Sequence, residues 1–179
     1  LGYGIYEYRT DLARLFSRIS TKISRKNSPD YHKTAIIIFM NKIQQEEYIQ
    51  FAKNLAHQAG EIMLTHFRAK SLVTEWKEDN TPVTIADKQI NTLVIDSVKS
   101  TYPEHGVLGE EESFEPKRSM LWVVDPIDGT AMFNLGMPNS CFCLALVING
   151  DVQISVVYDP YSKRLFHAGK GLGAYKNDE

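Results

Sequence analysis

Between residues 43 and 67, apolar side chains fall at 48, 51, 52, 55, 56, 59, 62, 63 and 67. Intervals of three and four match the turn of an α-helix, so the spacing predicts an amphipathic helix over 43–67 with one face committed to a core. "KEDNTPVT", 77–84, breaks the pattern with Asn80 and Pro82 and reads as loop. A second helix is expected from Thr84 to about Thr101, with Ala86, Ile90, Leu93, Val94 and Ser97 on one face and Pro103 ending it. Beyond it the period shortens. "GVLGEEES", 106–113, offers a short strand ending in acids. "SMLWVVD", 119–125, is a continuous apolar run of strand length and predicts a strand buried on both faces. "CFCLALVINGDVQISVVYDP" contains two strands joined by Asn149-Gly150, a strong hairpin signal, and "RLFHAG" and "GAYKN" add two more. Two helices followed by a meander give an α+β fold, the helices packed on one face of a mostly antiparallel sheet.

The chain has 179 residues, 43% hydrophobic and 23% charged, enough for one domain with a real core. A formal net charge of −2 gives no electrostatic case for a nucleic-acid partner. Residues 1–39 carry seven Lys/Arg against three Asp/Glu, while 40–179 carry thirteen against nineteen. The expected division is therefore a basic, weakly patterned extension over 1–39 and a core domain over 40–179. No apolar stretch approaches the roughly 20 residues that cross a membrane, and "AIIIFM", 35–40, is too short for a signal-peptide core. No membrane partner is expected. The two cysteines, Cys141 and Cys143, read as small apolar core residues of a protein in a reducing compartment, and the expected location is cytoplasmic. A metal needs more ligands than this pair supplies.

The candidate chemistry lies in "WVVDPIDGT", 122–130, where an apolar run ends on Asp125 and Asp128. Buried carboxylates repel each other and are costly to desolvate unless something positive lies between them. Pro126 and Gly129 are expected to force a turn that aims both acids and the Ile127 carbonyl at one point, a set of hard oxygens suited to Mg²⁺. "TAMFNL" after Gly129 can begin a helix whose free N–H groups, with the Thr130 hydroxyl, favour a phosphate. Glu110, Glu111 and Glu112 form a solvated edge or, if their strand pairs with the next, reach the same metal and permit a two-metal centre. Thr84 and Asp87 have the spacing of a helix cap, and a carboxylate fixed there can also orient a water.

"KEDNTPVTIAD", "GVLGEEES", "WVVDPIDGT" and "VVYDP…GKGLGAY", in this order, resemble the inositol monophosphatase family of Mg²⁺-dependent, lithium-sensitive phosphatases over about residues 43–177. The resemblance implies the amino-terminal part of a layered αβαβα fold, often dimeric, that hydrolyses a small phosphate ester with an activated water and no phosphoenzyme. It implies two or three Mg²⁺ ions in the complete enzyme, with Mn²⁺ able to substitute. Glu110, Asp125, the Ile127 carbonyl and Asp128 take the places of metal ligands. Asp87 and Thr130 take those of the pair activating the water, with Glu110 also counted in the catalytic set. Asp128, Gly129, Thr130, Glu111 and Lys77 fall at phosphate- or substrate-binding positions. Ala131-Met132-Phe133 departs from the family's usual Thr-Asn-Phe, and the family's carboxy-terminal half, with an Asp that completes the second metal site, lies outside this sequence. The leading substrate is myo-inositol monophosphate, with histidinol phosphate the alternative. A catalytically inactive metal- or partner-binding fragment is the reading from another class.

Overall fold

The structure, a computed structural model, describes residues 29–69, 74–76 and 82–179. The chain divides between Ile43 and Gln44, and the site lies within the unit Gln44–Glu179. Helix α1 spans Pro29–His66 and so begins well before the expected residue 43. Pro29 suits a first helical position, where no N–H is needed, and residues 30–42 contain neither glycine nor proline to stop the helix. Of the expected positions Tyr48, Ala52, Leu55, Ala56, Ala59 and Met63 are buried and Phe51, Ile62 and Phe67 partly so, while Ile49 joins the stripe unforeseen.

Strands β1, Thr74–Trp76, and β2, Pro82–Thr84, form a small antiparallel pair with Thr74 opposite Thr84 and Trp76 opposite Pro82. The end of the expected loop is thus a strand, with Pro82 at its first residue, where a missing N–H is tolerated. Residues 77–81, including Lys77, lie outside the described residues. Helix α2, Ile85–Thr101, starts where the sequence places it. Thr84 and Asp87 form a reciprocal capping box, and the helix closes on Tyr102, just before Pro103. Its buried face holds Ala86, Asp87, Ile90, Asn91, Val94, Ile95 and Val98. Ser97 is only half-buried and Val98 takes its expected place. Two polar residues one turn apart, Asp87 and Asn91, therefore point inward.

A six-stranded sheet follows, in sequence order: β3 Gly106–Gly109, β4 Met120–Asp128, β5 Cys141–Ile148, β6 Asp151–Asp159, β7 Arg164–Gly169 and β8 Gly173–Lys176. Every neighbouring pair is antiparallel except the first, in which β3 and β4 run parallel. The link 110–119 makes this possible by doubling back, with Phe114 bridging Val107. Along β4 burial alternates instead of covering both faces: Trp122 and Val124 are buried, Leu121, Val123 and Asp125 half-buried. The buried face meets α1 and α2 in one core with Phe142, Leu144, Leu146, Ile154 and Val156. Each such side chain contributes roughly 1.5–3 kcal/mol of transfer free energy. At one end of this core Tyr48, Phe51, Tyr102 and His105 surround Trp122, whose indole N–H donates to His105 Nδ1 at 3.1 Å. Among the described residues no helix is long and apolar enough to cross a membrane.

Candidate active site

Parallel pairing of β3 and β4 decides where the acids meet. The register sets Gly109 against Val124, so both strands run out at the same end of the sheet and Glu110 emerges beside Asp125. An antiparallel pair would have sent the two acids to opposite ends. Gly109 is held close to α2: a Cβ there would overlap Asn91 Oδ1 and the Glu112 carbonyl. Asn91 Nδ2 donates to that carbonyl at 3.0 Å, which fixes the Glu110–Glu112 segment against the helix.

Pro126 does not turn the chain as expected. Strand β4 continues to Asp128, with an irregularity between Asp125 and Asp128 where the pairing with β5 shifts register. A bulge re-aims side chains by adding an unpaired residue, and here it leaves Asp125 and Asp128 directed to one region. The turn comes at Gly129, whose φ of 90° favours glycine, and a Cβ there would stand 2.9 Å from the Asn139 carbonyl. Helix α3, Thr130–Asn134, follows, and among the described residues no side chain caps its first turn.

Asp125 is the strained member of the cluster. Burial first, then the neighbouring Glu110 and Asp128, push its carboxyl up to about 7. Among the described residues its Oδ1 is buried without a hydrogen-bond partner. An unsatisfied carboxylate oxygen among like charges fits a hard cation, which would supply the missing partner and offset the repulsion. The residues that could hold one are Glu110, Asp125, Asp128 and the Ile127 carbonyl.

Asp87 is 1% exposed and completes the inner wall. Its Oδ2 accepts from the Thr84 N–H at 2.8 Å and the Thr84 hydroxyl at 2.6 Å, leaving Oδ1 to face Thr130 Oγ1 at 3.2 Å. Burial raises the Asp87 pKa above the ordinary carboxylate range, against those hydrogen bonds, with Glu111 adding to the rise. The Thr130 hydroxyl has a second acceptor in the Ile127 carbonyl at 2.8 Å. One proton serves two acceptors, so the hydroxyl is poised between Asp87 and the Ile127 carbonyl.

The structure brings Asp87, Glu110, Glu111, Asp125, Ile127, Asp128, Gly129 and Thr130 to one end of the sheet; Lys77 lies outside the described residues. Sequence reasoning did not connect Cys141 and Cys143 with this region. Both are half-buried rather than in the core, on the face opposite Phe142 and Leu144, and the ladder sets Cys143 against Asp125 and Cys141 against Asp128. The period-two alternation of "CFCL" signals that the cysteines share a face, but which face depends on the register.

Residues 44–179 match the family described as the inositol monophosphatase family. The chain is 36% identical over 130 residues to a histidinol-phosphatase of Chlorobaculum parvum, covering 72% of this chain and 50% of the relative. It is 33% identical over 144 residues to an inositol monophosphatase of Dictyostelium discoideum, covering 78% and 53%. A solved structure described as an IMPase/NADP phosphatase complexed with Mg²⁺ and phosphate superposes with a TM-score of 0.68 at 29% identity, over 76% of this chain and 52% of that one. The chain thus spans about half the length of the curated relatives it matches.

Proposed function

The chain belongs to the inositol monophosphatase family, and on that footing we propose that the whole protein is a Mg²⁺-dependent phosphomonoesterase acting on a small phosphate ester. The observation that carries this reading is Asp125: a half-buried carboxylate with one oxygen unpartnered among the described residues, raised to about 7 beside Glu110 and Asp128. Such a group is destabilised until a cation arrives, which is how a binding site is prepared at the expense of folding. We assign Glu110, Asp125, Asp128 and the Ile127 carbonyl to hold the hard metals, Mg²⁺ or Mn²⁺, two or three in the complete enzyme.

Bound there, the ions would supply a lowered water pKa and offset the charge on the phosphoryl and leaving oxygens. The protein's own groups do the rest. Thr130 Oγ1 orients the attacking water and accepts its proton while passing its own to Asp87 Oδ1. The raised basicity of Asp87 suits it to hold that proton, and the capping bonds from Thr84 to Oδ2 keep Oδ1 turned toward Thr130. The first turn of α3, with the Gly129 and Thr130 amides, is assigned to the phosphate. Asp128, Glu111 and Lys77 are assigned to the substrate side. A water proton transferred through Thr130 requires no covalent enzyme intermediate.

Myo-inositol monophosphate is our leading substrate. A histidinol phosphate is the second, because the 36% identical relative is named a histidinol-phosphatase. Free thiols 3.8 Å apart suit a reducing compartment, which supports a cytoplasmic location. A homodimer and inhibition by lithium are carried over from the family resemblance. Phosphate release by the complete protein from a panel of inositol, histidinol, nucleotide and sugar phosphates is the test. We expect Mg²⁺-dependent turnover of one monoester above the rest; no Mg²⁺-dependent release from any of them would contradict the reading.

A further inference from the structure

Strand β5 places two thiols beside the acids, and no step of the proposed hydrolysis uses them. Cys141 Sγ and Cys143 Sγ are 3.8 Å apart, and Cys141 Sγ is 3.7 Å from Asp128 Oδ2. The ligand atoms of Asp128, Cys141 and Cys143 all lie within 4.8 Å of one another. A disulfide does not suit this pair. Alternate residues of an extended strand hold their Cα atoms about 6.6–6.8 Å apart, at the outer limit of a bridge. A tetrahedral ion suits it well. Two thiolates about 2.3 Å from one Zn²⁺ stand about 3.8 Å apart, and a thiolate and a carboxylate oxygen on the same ion about 3.5 Å apart.

We infer that Asp128, Cys141 and Cys143 form a binding site for a soft divalent cation, Zn²⁺ or Cd²⁺, with the fourth position left to water, and that filling it withdraws Asp128 from the hard-metal set. The donor types separate the two occupants: thiolates select Zn²⁺ and Cd²⁺, whereas Mg²⁺ keeps to oxygen. The exchange balances without redox chemistry. The ion gains two thiolate bonds and one carboxylate bond, and the two thiol protons pass to solvent. Only the withdrawal of Asp128 rests on the proposed function; the soft-cation site stands on the three side chains themselves.

The test is a titration of the reduced chain with Cd²⁺ alone, read by the ultraviolet thiolate-to-metal absorption. One Cd²⁺ per chain is expected. Cys141→Ser and Cys143→Ser should each weaken binding at least about 100-fold, and Asp128→Asn about 10-fold. Full affinity with either cysteine replaced, two ions per chain, or unchanged affinity in Asp128→Asn would overturn the site. Should a serine variant not fold, alkylation of the wild-type chain decides: Cd²⁺ should shield both thiols together, and protection of one alone would overturn the proposal. A Mn²⁺ titration of the Cd²⁺-loaded chain then reads the sharing. Mn²⁺ affinity at least about 10-fold weaker is expected, and unchanged affinity overturns it. Binding of Cd²⁺ in this manner by a chain that never binds Mn²⁺ would contradict the proposed function and leave the thiol site standing.

Discussion

Thr130 Oγ1 lies 3.2 Å from Asp87 Oδ1, across 43 residues of sequence, and joins the first turn of α2 to the first residue of α3. The other oxygen of Asp87 is spent on Thr84, so one carboxylate both caps a helix and faces the Thr130 hydroxyl. The two roles separate on substitution. In the complete protein Thr130→Ala should lower kcat by about 10²–10⁴-fold with little change in KM, as for loss of a general-base relay. A raised KM with kcat intact would make Thr130 a binding residue.

Asp87→Asn should show the same kcat loss and, in addition, lose about 1 kcal/mol of stability through the weakened cap. Steady-state kinetics and urea unfolding measured on the same variant distinguish the outcomes. A stability loss without a kcat loss would leave Asp87 as a cap alone.

Much of this arrangement was legible in the sequence. The capping box could be read because Thr84 and Asp87 are local, and a local hydrogen bond needs only spacing. The hairpin at Asn149-Gly150 and the order of the strands were readable for the same reason. What escaped was long-range. A short strand, a ten-residue link and another strand read as part of a meander, yet β3 and β4 are parallel, and that brings Glu110 beside Asp125. The position of Cys143 opposite Asp125 depends on register, and that of Cys141 opposite Asp128 on the shift between the two aspartates. The early start of α1 is not read from the apolar spacing because a helix end is set by breakers and caps, and no glycine or proline lies between Pro29 and Ile43.

Gly109 permits the close approach of the Glu110–Glu112 segment to Asn91. Gly109→Ala should force that segment outward and cost roughly 1–3 kcal/mol, the range for overpacking. Urea unfolding checks the stability. Divalent-ion titration of the same variant should show weakened binding, since Glu110 moves with the segment.

His105 is buried, stacks on Tyr102 and accepts the Trp122 indole proton, which requires a neutral Nδ1. Burial lowers its pKa; nearby Glu104 opposes this and Arg118 adds to it. The unfolded chain therefore takes a proton near the ordinary value of about 6.5 while the folded chain still refuses one. Stability from this group is full above about pH 6.5 and is lost as pH falls toward the lower folded value. His105→Gln retains an acceptor for Trp122 and does not titrate. Its Tm should drop less than that of the wild type between about pH 7.5 and 5.5, and an equal drop would remove His105 as the cause.

With no ion present, Asp125 carries the cost of a half-buried charge next to two like charges. Asp125→Asn should therefore raise the metal-free Tm at about pH 8, by roughly 2–4 °C for each kcal/mol of relief. A lower Tm in the metal-free variant would show that the carboxylate is satisfied in some other way.

The central claim is that Glu110, Asp125, the Ile127 carbonyl and Asp128 together hold a hard divalent cation. Calorimetric titration of Mn²⁺ into the wild-type chain and into Asp125→Asn tests it most directly. Saturable binding in the wild type, lost or weakened at least about 10-fold in the variant, is the expected result. Equal affinity in the two, or no binding by the wild type, would contradict it.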